Sequence, residues 1–219
     1  MFHAFMIQLK HFLRSVRNDY YQLKRKGYQQ AITLPHPPPY KLNIGCGKNI
    51  KDGWINIDIN PPAEITIDVN KGLPFPSNSC ELIYSEHFLE HLSYPDESIP
   101  LLKECYRVLS PGCVIHVGVP DSRYVVESCI KDPIDAEFLR KAKEYKWGYP
   151  DYCQTGFEFI NYHFRLRGQH KFAFDFITLK SHLEQVGLVD VKKREYNPAL
   201  DTISRAEGTL YMAAKKPSI

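Results

Sequence analysis

Apolar residues recur at spacings of three and four through the first thirty positions. Phe2, Phe5, Met6, Leu9, Phe12, Leu13, Val16, Tyr20 and Leu23 share one face, and Lys10, Arg14 and Arg17 lie opposite. That is the period of an amphipathic helix. A Lys24-Arg25-Lys26 cluster before Gly27 makes it basic. Such a face packs on the domain, on a second copy as a homodimer, or on a membrane surface as a peripheral contact. The Pro35-His36-Pro37-Pro38-Pro39 run reads as a stiff linker. The chain therefore divides into residues 1–39, helix and linker, and residues 40–219, the main body.

From Tyr40 the pattern changes to short apolar runs alternating with longer helical ones, which predicts an α/β fold around a mostly parallel sheet. Strands are expected near 41–45, 54–58, 64–69, 81–85, 113–119, 188–196 and 208–215. A helix starting at Ser93 or Asp96 has Ile99, Leu102, Cys105, Tyr106 and Leu109 on its apolar face and ends at Ser110-Pro111-Gly112. Asp175 is a good N-cap for a second helix using Phe176, Leu179, Leu183 and Val186, stopped by Gly187. Residues 120–172 form an irregular, aromatic-rich insert with a helix over 133–146 and a Trp147-Gly148-Tyr149-Pro150 turn.

Composition narrows the function classes. The net charge is +3, but residues 1–40 hold six Lys/Arg and one Asp, while the remainder holds 22 Lys/Arg and 24 Asp/Glu. The body is therefore not a nucleic-acid surface by charge alone. The six cysteines are scattered without a Cys-x-x-Cys pair, and read as free thiols of a reducing compartment. With no long apolar span and no leader pattern, the expected location is cytoplasmic.

The main chemical signal is Leu42-Asn43-Ile44-Gly45-Cys46-Gly47, followed by Trp54-Ile55-Asn56-Ile57-Asp58. A buried strand ends in two glycines, which let a ligand approach the backbone, and the next strand ends in a carboxylate that can accept from a ribose diol. Together with IDVNKGLPFPSNSCELIYSEHFLEHL and LLKECYRVLSPGCVIHVGVP, these segments resemble a class I S-adenosylmethionine-dependent methyltransferase of the small-molecule type. SEHFLEHL, HKFAFDFITLKSHLEQVGL and AEGTLYMAAKK are also similar to predicted methyltransferases of bacterial polysaccharide gene clusters. The resemblance implies a Rossmann-like sheet whose last strand is antiparallel, and S-adenosyl-L-methionine as cofactor. It implies cofactor contacts at Gly45, Cys46, Gly47, Lys48, Asp58, Ile59, Asp68, Val69 and Ser85. The chain departs from the family in one place. Only Lys48 to Gly53 separates Gly47 from Trp54, so the first crossover helix is reduced to a turn, and Ile50 stands where a third glycine is usual.

Methyl transfer from a sulfonium is an in-line displacement, and a hydroxyl acceptor must also lose a proton. Candidate catalytic residues are His87, Glu86, His163 and His170. The insert, with Tyr152, Phe157, Phe159, Tyr162, Phe164, Arg165 and Arg167, either folds over the crevice as a lid for a sugar or anion or forms a satellite core. His116 reads as a buried, satisfied histidine, and His182 as a helix-surface residue. His87-Phe88-Leu89-Glu90-His91 also matches the His-x-x-Glu-His pattern of inverted zinc peptidases. The methyltransferase context is preferred, and no metal is assigned. A non-catalytic cofactor-binding scaffold is the other alternative.

Overall fold

The computed structural model describes residues 32–218. The basic pattern of residues 1–30 lies outside them. Seven strands form one sheet: β1 (Tyr40–Ile44), β2 (Ile55–Asp58), β3 (Ile65–Thr66), β4 (Cys80–Glu86), β5 (Leu109–Pro120), β6 (Val189–Lys193) and β7 (Thr209–Lys215). Their order is β3-β2-β1-β4-β5-β7-β6. β7 runs antiparallel to both neighbours, while the β3-β2-β1-β4-β5 block is parallel. The apolar runs of β1, β2 and β4 explain the parallel block: Leu42, Ile44, Ile55, Ile57 and Ile83 are essentially inaccessible, as strands covered on both faces must be.

Two helices pack against the sheet. In α1 (Ser98–Val108), Ile99, Leu101, Leu102, Cys105 and Val108 face the core. The helix ends one residue before Leu109, which already belongs to β5. Ser110-Pro111-Gly112, expected as the helix stop, therefore lies inside a longer strand. Neither Ser93 nor Asp96 caps α1; the N-cap is Glu97, whose carboxylate accepts from Ser93 N at 2.7 Å. Arg107, from the Arg-Val-Leu-Ser-Pro-Gly phrase, pairs with Glu104 and donates to the carbonyls of Leu73 and Phe75. It thereby ties the loop before β4 to α1.

Ten residues connect β1 to β2, fewer than the dozen or more that a parallel crossover normally needs, and none is helical. Two buried amides replace the missing helix. Asn43 donates to Asn49 O and to Asn56 Oδ1, each at 2.8 Å. Asn56 accepts from Lys51 N and donates to the carbonyls of Lys51 and Trp54. Backbone groups that helical bonds would satisfy are thus satisfied by side chains of the flanking strands.

The insert between β5 and the last helix is more helical than its sequence suggests. It contains α2 (Ser122–Cys129), α3 (Ala136–Glu144) and α4 (Gly156–Arg165), followed by α5 (Phe176–Gln185). Asp121, Asp135, Thr155 and Asp175 cap them, with a full capping box between Thr155 and Glu158. Val125, Cys129, Phe138, Cys153 and Phe159 form a second core here, separate from that of the sheet. His182 on α5 is not a surface residue. It is 5% exposed and stacks on Tyr94 with ring centroids 4.3 Å apart. His116 on β5 is partly buried, and among the described residues its Nδ1 lacks the partner expected of a satisfied histidine. All six cysteines are free. No described helix is long and apolar enough to cross a membrane.

Candidate active site

The strand order reverses direction between β1 and β4, which is where open α/β sheets form their ligand crevice, at the carboxyl ends of the strands. Ile44 is paired with Ile57 on one side and with Ser85 on the other, so the glycine turn, Asp58 and Ser85 emerge side by side. The N–H groups of Gly45 and Cys46 both donate to Ile57 O, at 2.8 and 3.1 Å. Asp58 Oδ2 accepts from Gly47 N at 2.9 Å and Oδ1 from Asn60 N at 3.0 Å. A carboxylate offers about four lone-pair sites, so two remain for a pair of hydroxyls.

Other features favour a ligand here. Ser85 Oγ is buried with no hydrogen-bond partner among the described residues. A Cβ on Gly47 would meet nothing within 4 Å, and Ile59 is 64% exposed beside Asp58. Lys48 is exposed next to the turn, while Cys46 is buried, with burial and Asp58 pushing its thiol up to about 11. Asp68 is engaged locally. It caps the short 3-10 turn Val69–Lys71 by accepting from Asn70 N, and lies 3.7 Å from Lys71 Nζ. Val69 is buried in the core beside it.

Beyond β4 and β5 opens a cavity of about 690 Å³. His87, His163 and His170, widely separated in sequence, all line it, with Trp147, Tyr149, Tyr162 and Arg205. One edge of the insert's satellite core therefore becomes a cavity wall, while Tyr152 and Phe157 point to solvent. His87 Nε2 lies 2.8 Å from Thr209 Oγ1. His163 Nε2 lies 3.1 Å from Ser122 Oγ, and Nδ1 lies 3.4 Å from Tyr149 Oη. Burial disfavours the charged form of all three rings. It lowers His87 well below the usual value, with Arg205 adding to the effect, brings His163 to about 4, and lowers His170.

Glu86 stands apart from the histidines. It is 4% exposed, and its carboxylate accepts from Thr202 N, Thr202 Oγ1, Arg205 Nη1 and Tyr211 Oη. These bonds fasten the β6–β7 connection over the end of β4. Asp201 is a second fastening point, holding Arg194 through two 2.6 Å bonds and accepting from Tyr84 Oη. Sequence reasoning missed this connection and with it Arg205. A visible signal was its length, since residues 194–208 are far more than an antiparallel turn requires.

A family model described as a methyltransferase domain matches residues 42–117, the stretch from the glycine strand through β5. That stretch is less than half of the chain, and over it the chain is similar to a methyltransferase domain. The match supports an enzyme of the methyltransferase type that uses S-adenosylmethionine. An S-adenosylmethionine-dependent methyltransferase from Archaeoglobus fulgidus shares the methyltransferase fold, with a TM-score of 0.50 and 18% identity over 90% of this chain and 94% of that one. A possible exported protein from Bordetella parapertussis has the same TM-score at 13% identity, over 91% of this chain and 68% of that one. No curated protein matches the chain.

The inverted zinc-peptidase arrangement is absent. His87 has a left-handed φ of 53°, and Glu90 and His91 belong to the single 3-10 turn Leu89–His91. The two histidines therefore do not share a helix face.

Proposed function

We propose that this methyltransferase modifies a hydroxyl or carboxyl oxygen of a small, polar acceptor of the size and character of a saccharide precursor. The observation that carries the reading is the convergence of His87, His163 and His170 on one cavity beside the cofactor crevice. The aromatic wall offers faces for the apolar side of a sugar ring. Arg205 uses Nη1 on Glu86, and no bond of its Nε or Nη2 is seen among the described residues, which suits an anionic acceptor.

S-adenosylmethionine supplies a methyl group on a positively charged sulfur. Asp58, the Gly45–Lys48 turn, Ile59 and Ser85 are assigned to hold it, with Asp68 and Val69 beside the adenine. The remaining work falls to the cavity. A neutral imidazole has one N–H and one lone pair. His163 contacts two hydroxyls, so one accepts from the ring and the other donates to it. Tyr149 carries this Ser122–His163–Tyr149 relay to the cavity wall, making His163 the favoured route for a departing proton. His87 and His170 orient the acceptor. Glu86 holds Arg205 and the covering connection in place, a positioning role that replaces the expected role as base. The free thiols suit a reducing compartment.

The test is a calorimetric titration of S-adenosylmethionine and S-adenosylhomocysteine into wild type and Asp58→Ala, followed by transfer of a labelled methyl group to a panel of uronic acids and sugar phosphates. We expect binding of both, weakened at least tenfold by the substitution, and label in the acceptor. Binding without transfer to any oxygen acceptor would refute the acceptor class. No binding would refute the site.

A further inference from the structure

Glu90 is a side chain that the methyl-transfer reading leaves unused. It is 2% exposed, and neither carboxylate oxygen has a hydrogen-bond partner among the described residues. Buried carboxylates are ordinarily hydrogen-bonded, paired or bound to a metal, because desolvation is otherwise uncompensated. Histidines surround this one. His91 Nε2 and His87 Nδ1 each lie 3.9 Å from Glu90 Oε1, and the His91 and His170 ring centroids are 5.2 Å apart.

The tautomers of two of these rings follow from their outer contacts. His91 Nδ1 lies 3.0 Å from Gln169 O, and His170 Nδ1 lies 2.6 Å from His163 O. A carbonyl only accepts, so each Nδ1 carries the proton and each Nε2 presents a lone pair. A ring N–H donated to a backbone carbonyl is the usual arrangement behind a metal-binding histidine. His87 differs, because its Nε2 is engaged with Thr209.

We propose that Glu90, His91 and His170 bind one divalent transition-metal ion, with zinc favoured by the donor set, at the edge of the acceptor cavity. One ligand atom from each residue lies within 4.8 Å of the others, so all three sit no more than about 2.8 Å from a common centre. Side-chain shifts of under about 1 Å would bring them to the 2.0–2.2 Å of zinc–nitrogen and zinc–oxygen bonds. Two imidazoles and a carboxylate suit zinc, and leave a position for water or an oxygen ligand. The ion would give the buried carboxylate its missing partner. It would also clamp residues 169–172 to the turn after β4, where the N–H groups of Lys171 and Phe172 already donate to Glu90 O. His170 belongs to both the cluster and the cavity wall, so the site borders the acceptor. The inference does not depend on the identity of that acceptor.

The test uses untagged full-length protein, stripped with a chelator, re-equilibrated with zinc chloride and freed of excess by gel filtration. We expect one zinc per chain and a rise in melting temperature on zinc addition. Glu90→Gln and the double substitution His91→Ala/His170→Ala should each lower zinc affinity by more than about tenfold. The exposed His36→Ala should leave it unchanged. Cobalt(II) should give the visible bands of a low-coordinate nitrogen–oxygen site. An intense thiolate charge-transfer band would place the ion on cysteine and overturn the proposal, as would substoichiometric zinc in wild type or wild-type affinity in Glu90→Gln. Titrating S-adenosylhomocysteine into the same samples separates the two readings. Cofactor binding without zinc refutes only the metal site, and zinc without cofactor binding refutes only the cofactor site.

Discussion

Alanine in place of Gly45 should cost more stability than alanine in place of Gly47, although both glycines have positive φ. At Gly45 φ is +69°, and an added Cβ would stand 2.2 Å from Phe88 Cγ, 2.4 Å from Cδ2 and 2.6 Å from Cβ. Rotating the ring cannot relieve a clash that includes Phe88 Cβ, so the backbone on one side must move. At Gly47 φ is +51°, and an added Cβ would meet nothing within 4 Å. The left-handed conformation costs a non-glycine residue about 1–2 kcal/mol, and overpacking adds about 1–3 kcal/mol. Gly45→Ala should therefore lose about 2–5 kcal/mol, and Gly47→Ala about 1–2 kcal/mol. Binding should rank the other way among folded molecules, because the open space at Gly47 is assigned to the cofactor. Urea unfolding followed by tryptophan fluorescence gives the stability difference. Calorimetry with S-adenosylhomocysteine, under conditions where both variants are folded, gives the affinities. Equal losses of stability within about 0.5 kcal/mol would show that Phe88 does not pack on Gly45 as described, and the reasoning would fail.

Three further outcomes are expected. Glu86→Ala removes the acceptor of Thr202, Arg205 and Tyr211, leaves a partly buried cation unpaired, and should lower stability by about 3 kcal/mol in urea unfolding. His163 has a folded-state value of about 4 against 6.5, so below pH 6.5 the unfolded chain takes up the proton first. Its contribution is present above pH 6.5 and is lost as pH falls towards 4, by about 3 kcal/mol; His163→Asn should remove that part of the wild-type pH profile. Asn56→Leu leaves Lys51 N and the carbonyls of Lys51 and Trp54 without their side-chain partner, and should cost about 2–4 kcal/mol, measured by the urea midpoint.

The sheet was legible because each buried strand appears as a short apolar run bounded by turn residues, and because Asp175 and Gly187 mark the ends of α5 in the sequence itself. The clustering of His87, His163 and His170 was only partly legible. Their residue types suggested chemistry, but their meeting depends on how α4 returns towards β4, a long-range packing that no local pattern encodes. The insert looked irregular because its helices span only 8–10 residues, too short for a sustained hydrophobic period. Its caps were nevertheless visible, notably Thr155 with Glu158. His182 was misread for a related reason. Helical spacing can place it on a face, but only the fold brings Tyr94 over that face.

Asn43 and Asn56 are the least legible part of the cofactor site and explain how it dispenses with a helix. A dinucleotide site uses the N-terminus of its first helix to meet a pyrophosphate. S-adenosylmethionine has no phosphate, so that dipole is not required. What remains necessary is a rigid glycine turn beside the carboxylate. Here the turn hangs from β2 at both ends, with Gly45 N and Cys46 N on Ile57 O and Gly47 N on Asp58. The following residues are pinned by the two amides from within the sheet. Asp58 braces the turn through Gly47 N and Asn60 N, and in the proposed reading its remaining lone pairs serve the cofactor. The proposed site therefore predicts that cofactor affinity and the β1–β2 pairing are coupled. A substitution at Asn43 or Asn56, neither of which is assigned to the ligand, should weaken binding through Gly47, whereas in a site built on a helix the same strand positions would affect stability alone.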